Sequence, residues 1–222
     1  MSKDKTRKRP VSKKVLARLQ ELQRSRGVRD LAKRFLIVCE DNKSAPNYFE
    51  CLKKHFNLSA TSIRDVGSGG RTQPLQVVEK AIELKDAASS ESSGTEPFGE
   101  TWCIIDGDYG NEINNARAKA TAHNIELAIS TQCFEYWVLL HFGDYDKQTR
   151  DCQGLIKELK RKGRIPGYEK GKCDFSTVVV QVHDASARAK RLRAPGIKVG
   201  ELPENDNPCS EIYKLIDAIL RA

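Results

Sequence analysis

Residues 34–49 read RFLIVCEDNKSAPNYF: five apolar side chains, Phe35 to Cys39, run unbroken into Glu40 and then into polar turn residues. A short apolar run bounded by turn signals is the pattern of a strand covered on both faces, as in a parallel sheet. Parallel strands cannot be joined by tight hairpins, so such a sheet requires helical crossovers between its strands. The rest of the chain should therefore alternate between strand and helix patterns.

It does so over roughly a hundred residues. Pro46 suits an early helical position, and APNYFECLKKHF sets Tyr48, Leu52 and His55/Phe56 along one face. TSIRDVGSGG reads as a short strand ending in a glycine-rich turn. A helix is predicted over 73–88, with Leu75, Val78 and Ile82 on its apolar side, and the Ser-rich SSESSGTEPFGE separates it from a third strand, TWCIID. A helix over NEINNARAKATAHN, a fourth strand IELAIS and a helix FEYWVLLHF complete the series. The expected fold class is α/β, a mostly parallel sheet of about four strands flanked by helices, spanning residues 34–143. Residues 144–222 turn mostly helical and charged, and are expected to form an extension packed on that core. Within them RIPGYEKGKCDF reads as a loop and DASARAKRLRA as a basic helix. Asn207-Pro208 is expected to open the last helix, which carries Ile212, Leu215, Ile216 and Ile219.

The charge is unevenly spread. Residues 1–34 hold 13 Lys or Arg against three acids, whereas the remainder holds 25 against 27, so the net +8 belongs to the leading arm. Residues 1–33 are read as a basic arm, partly helical or disordered, with Val15, Leu19 and Leu22 at helical spacing. Such an arm attracts polyanions through counterion release, or serves as a solvated tail. Seven scattered cysteines, odd in number and never paired as Cys-x-x-Cys, argue against a disulfide framework and a structural zinc site. Reduced thiols in a cytoplasmic protein are the expectation. No secretion signal is visible, and no apolar run is long enough for a membrane span.

In open parallel sheets ligands gather beyond the carboxyl ends of the strands. Glu40 closes the first strand. In WCIIDGDYG, Asp106 closes the third, and Asp108 follows two positions on, beyond a glycine. Neighbouring strands lie about 4.8 Å apart, so Glu40, Asp106 and Asp108 can share one ion. Oxygen-only ligands favour Mg²⁺ or Mn²⁺ over zinc. Glu135, at the start of the helix after the fourth strand, is either a further ligand or a first-turn acid favoured at a helix N-terminus.

A Glu after the first strand and an Asp-x-Asp after the third resembles a Toprim domain, a Rossmann-like metal-binding catalytic fold. More closely, the chain resembles the RloB-like family. IVCEDNKSAPNYF stands for that family's Cys-Glu-Gly-x-x-Thr-Glu-Pro-x-Tyr-Phe, and GSGGRTQPLQVV for its glycine-rich turn before a Pro-led helix. IIDGDY matches the Asp-x-Asp strand, STQCFEYWVLLHF the Ser-Asn-Pro-x-Phe-Glu-x-Trp segment, and NPCSEIYKLI a motif near the end. The likeness spans about residues 33 to 220. Asp41, Ala45 and Thr131-Gln132 depart from the family's Gly, Glu and Asn-Pro. The resemblance implies a nuclease partner of an ATPase in prokaryotic antiviral defence by abortive infection.

The expected activity is metal-dependent hydrolysis of DNA or RNA phosphodiesters, with Glu40, Asp106 and Asp108 as catalytic groups. The metal set adds Glu135 to these three. Arg71, Lys170 and Lys172 are candidate contacts for nucleic acid. The alternative is a non-catalytic Toprim-like subunit that holds nucleic acid and docks the ATPase.

Overall fold

Five strands lie in the order β2-β1-β3-β4-β5. They are β1 (Phe35–Cys39), β2 (Ser62–Asp65), β3 (Glu100–Asp106), β4 (Glu126–Thr131) and β5 (Cys209–Ser210). The first four pair in parallel, and β5 joins β4 antiparallel. This computed structural model describes residues 34–58, 62–65, 73–90, 98–107, 109, 112–147, 151–193 and 208–221. The basic arm, Arg71 and Asp108 lie outside the described residues.

Seven α-helices are described: α1 (Ser44–His55), α2 (Pro74–Ser90), α3 (Glu112–Ala122), α4 (Phe134–Leu139), α5 (Cys152–Leu159), α6 (Val182–Leu192) and α7 (Ile212–Leu220). The alternation of side chains along each strand divides them between two faces. Phe35, Ile37, Cys39, Trp102, Ile104 and Ala128 face one core, which α1, α4, α5, α6 and α7 cover with Tyr48, Phe49, Trp137, Leu155, Ala185 and Ile216. Leu36, Val38, Cys103, Ile105 and Ile129 face the other, closed by Val77, Val78 and Ala81 of α2 and Ile113, Ala116 and Ala120 of α3. Every residue of β1 is buried, which is why its sequence shows no polar alternation. The sheet is thus the α/β arrangement expected from the sequence, with four parallel strands and a short fifth.

The chain leaves β1 for β2 on one side of the sheet and returns to place β3 on the other. That reversal makes the carboxyl ends of β1 and β3 the switch point, where open α/β sheets form their ligand crevice.

Three details differ from the sequence reading. The last helix begins at Ile212, after an N-cap at Glu211, not at Asn207-Pro208. Cys209 and Ser210 are taken up as β5 instead, and the Glu211 N–H donates to Ile129 O at 2.8 Å. Helix propensity yields here to the unpaired edge of β4. On α1 the buried face is Ala45, Tyr48, Phe49 and Leu52, while His55 is exposed. Finally, Cys133 and Cys152 are disulfide-bonded, contrary to the expectation of reduced thiols, while Cys39, Cys51, Cys103, Cys173 and Cys209 take no part in a disulfide. Cys133 precedes α4 and Cys152 opens α5, two helices that pack together, so an association invisible in the spacing brings their Cα atoms to 5.8 Å.

Candidate functional site

Glu40 follows β1 directly, and its backbone N–H donates to Ile104 O of β3 at 3.0 Å, extending the ladder by one step. This pairing aims the side chain at the end of β3. Glu40 Oε2 accepts the Asp106 backbone N–H at 3.0 Å, and Oε1 accepts the Tyr109 hydroxyl. Glu40 and Asp106 are therefore adjacent at the switch point.

Asp106 is the last residue of β3, and its Oδ1 accepts the Phe134 N–H, the first of α4, at 3.0 Å. Burial pushes its carboxyl well above the usual carboxylate range, and the fields of Glu40 and Glu135 push the same way; Lys170 opposes them. Gly107 lets the chain pass β4 closely: a Cβ there would sit 2.5 Å from Thr131 Oγ1 and 3.1 Å from its Cα. Gly107→Ala is accordingly expected to lower stability by about 1–3 kcal/mol, the usual penalty for overpacking, and to shift the urea midpoint without changing the slope. An unchanged midpoint would mean that Thr131 moves aside freely.

Glu135 is wholly buried. Its Oε1 accepts Tyr168 Oη at 2.6 Å and Ser44 Oγ at 3.1 Å, and its Oε2 lies 3.3 Å from Lys170 Nζ. Ser44 Oγ and Tyr168 Oη lie 2.8 Å apart, so the two hydroxyls converge on the same carboxylate oxygen. Burial and the Glu135 carboxylate raise the Tyr168 phenol far above its ordinary value, so it remains a donor. Burial alone would lower the Lys170 ammonium, but Glu135, Asp106 and Asp41 more than offset it, and its pKa is raised. Lys170 thus stands as the counter-charge to a group of acids. Asp41 belongs to that group by field, yet its oxygens are occupied by the backbone N–H groups of Lys43, Ser44 and Ala45 at 3.1–3.2 Å, fixing the start of α1. Burial nevertheless raises its pKa, the Ala45 and Lys43 N–H bonds acting against it.

The sequence-predicted residues divide as follows. Glu40 and Asp106 meet, Glu135 lies within the same electrostatic group, and Lys170 faces it. Lys172 is exposed and pairs with Glu169 at 2.7 Å. Arg71 and Asp108 fall outside the described residues. Burial first and the field of Glu40 next disfavour the charged Asp106 carboxyl, and a hard divalent cation held beside the two acids would relieve both.

A model of the RloB-like protein family matches residues 35–219, from β1 through almost all of α7. The chain belongs to the RloB-like protein family. Among curated proteins and among solved structures, nothing matches it. In this RloB-like chain two of the residues that build the site, Ser44 and Tyr168, were not singled out from the sequence. Ser44 stands where the family signature has Thr, which was a usable signal. Tyr168 sits in a loop with no periodicity, and its place beside Glu135 arises only from folding.

Proposed function

We propose that this RloB-like protein is a Toprim-like, metal-dependent phosphodiesterase acting on nucleic acid, with Glu40, Asp106 and Asp108 holding Mg²⁺ or Mn²⁺. The observation that carries this reading is the pairing of Glu40 with Asp106 at the switch point, with the Asp106 carboxyl held above its ordinary range. When bound, the cation would supply Lewis-acid polarisation of a non-bridging phosphate oxygen. The chain's own residues do the rest. Tyr109 and the Asp106 N–H orient the Glu40 carboxylate, which would either share the ion or take and return a proton during attack by water. The Phe134 N–H fixes Asp106. Ser44, Tyr168 and Lys170 hold Glu135 behind it. Family membership supports action with an ATPase partner in antiviral defence, the setting the family resemblance implies.

The test is incubation of the purified chain, with the ATPase co-expressed, against DNA and RNA pools. Cleavage should require Mg²⁺ or Mn²⁺ and stop with EDTA; cleavage that persists in EDTA would sink the proposal. A second reading has one observation in its favour. Lys170 already balances part of the acidic group, as a non-catalytic nucleic-acid-binding or regulatory subunit would require. Calorimetric titration with Mn²⁺ separates the two, since only the enzyme needs a saturable site that depends on Asp106.

A further inference from the structure

The contact between Glu135 and the Cys133–Cys152 disulfide is poorly suited to a disulfide. Glu135 Oε2 lies 3.2 Å from Cys152 Sγ, and a disulfide sulfur has no proton to donate. The carboxylate is wholly buried, so water does not screen it. Its other contacts, to Ser44, Tyr168 and Lys170, are all donors. The direction toward the sulfur is the one that lacks one. An ion or a thiol proton placed there would satisfy it.

The three ligand atoms, Cys133 Sγ, Cys152 Sγ and a Glu135 oxygen, lie within 4.8 Å of one another. The two sulfurs are joined as a disulfide. Once that bond is broken, side-chain rotation alone can bring them and the oxygen onto one tetrahedral ion with metal–sulfur distances of about 2.3 Å and metal–oxygen distances of about 2.0–2.2 Å. Cys133 is anchored as the N-cap of α4 and Cys152 as the first residue of α5, so the backbone presents both from fixed positions. Charge also closes. Two thiolates and one carboxylate carry three negative charges, which a dication and the Lys170 ammonium, 3.3 Å from Glu135, together balance. Thiolates select a soft ion over magnesium.

We propose that, in the dithiol state, Cys133, Cys152 and Glu135 form a binding site for a thiophilic divalent ion of the zinc class, separate from the Glu40–Asp106 pair. A dithiol reductant supplies two electrons and two protons. The Sγ–Sγ bond breaks to give two thiols, and the reductant becomes a disulfide. Binding of the ion then releases the two thiol protons to solvent. The fourth position is left for water, as in three-ligand zinc sites. This inference does not depend on the phosphodiesterase reading, and its test does not measure cleavage.

The full chain is reduced, freed of reductant without oxygen and titrated with Co²⁺ in excess Mg²⁺. The expected result is one equivalent bound with a thiolate-to-cobalt charge-transfer band that magnesium does not displace. The oxidised protein should show no such band. Cys133→Ser and Cys152→Ser should each abolish it, and Glu135→Gln should weaken binding at least about tenfold. No thiolate band in the reduced native chain, or a band unchanged in both serine variants, would overturn the site. Should those variants fail to fold, X-ray absorption of the native cobalt complex decides. A shell of two sulfurs supports the proposal, and any other sulfur count refutes it.

Discussion

Replacing Asp106 by asparagine is expected to lower cleavage by about 10²–10³-fold, the scale on which one member of a preorganised electrostatic set acts, while stabilising the metal-free protein near neutral pH. The second effect follows from the sign of the shift. Burial first, and the fields of Glu40 and Glu135 next, raise the folded-state pKa of Asp106 above the ordinary 3.8. A carboxyl raised in this way contributes stability below the unfolded value, and that contribution is lost as pH rises through the folded one. Above the unfolded value the native chain is therefore less stable than one with a neutral side chain at this position. Asparagine keeps an oxygen for the Phe134 N–H, now at 3.0 Å, and carries no charge. Buried His141 acts in the opposite direction: burial pushes its imidazole down to about 4, so acidification below 6.5 destabilises the fold. Both proteins contain His141, and the difference between their urea midpoints isolates Asp106. The advantage of the variant should grow as pH rises above 3.8 and level off once the raised folded-state value is passed. Saturating Mg²⁺ or Mn²⁺ should raise the Tm of the native chain and leave the variant unmoved. A variant less stable than the native chain at neutral pH, or one that still responds to the cation, would remove the electrostatic basis of the site.

What the sequence revealed and what it concealed divide along physical lines. β1 and β3 were legible because burial on both faces imposes continuous apolar runs, FLIVC and WCII, that few other structures need. Glu40 and Asp106 were legible because a carboxylate that ends such a run has no packing role to explain it. Behind them Glu135 and Lys170 stood out as single residues, but the network that joins them was hidden. Ser44, Glu135, Tyr168 and Lys170 come from α1, α4 and a loop, separated by 91 and 33 positions where they bond to one another. No period connects them, and each residue type is common in solvated positions. The Cys133–Cys152 contact was hidden for the same reason: it depends on how α4 packs against α5. β5 is two residues long, too short for alternation to register, and is set by the edge of β4 instead.

Lys170 is the residue whose removal should disturb that hidden network most. It was read from the sequence as a contact for nucleic acid, yet its ammonium lies against Glu135, so a phosphate would have to compete with a buried carboxylate for it. Removing one partner of a buried pair typically costs about 3–5 kcal/mol, because the other charge is left uncompensated. The Lys170 side chain is 33% exposed, and screening by water brings the expected loss for Lys170→Met to about 2–3 kcal/mol. Part of that loss should vanish when Glu135 is also changed to glutamine, since an amide can accept from Ser44 and Tyr168 without a charge. A double-mutant cycle by urea denaturation should give a coupling of about 1–3 kcal/mol between positions 170 and 135. Lys172→Ala, at a surface pair with Glu169, should fall within about 0.5 kcal/mol of the native chain. If Lys170→Met costs as much in the Glu135→Gln background as in the native chain, then the lysine stabilises the loop by packing alone. The acidic group would then have to tolerate its own charge without help from this lysine, and the demand for a divalent cation at Glu40 and Asp106 would be correspondingly weaker.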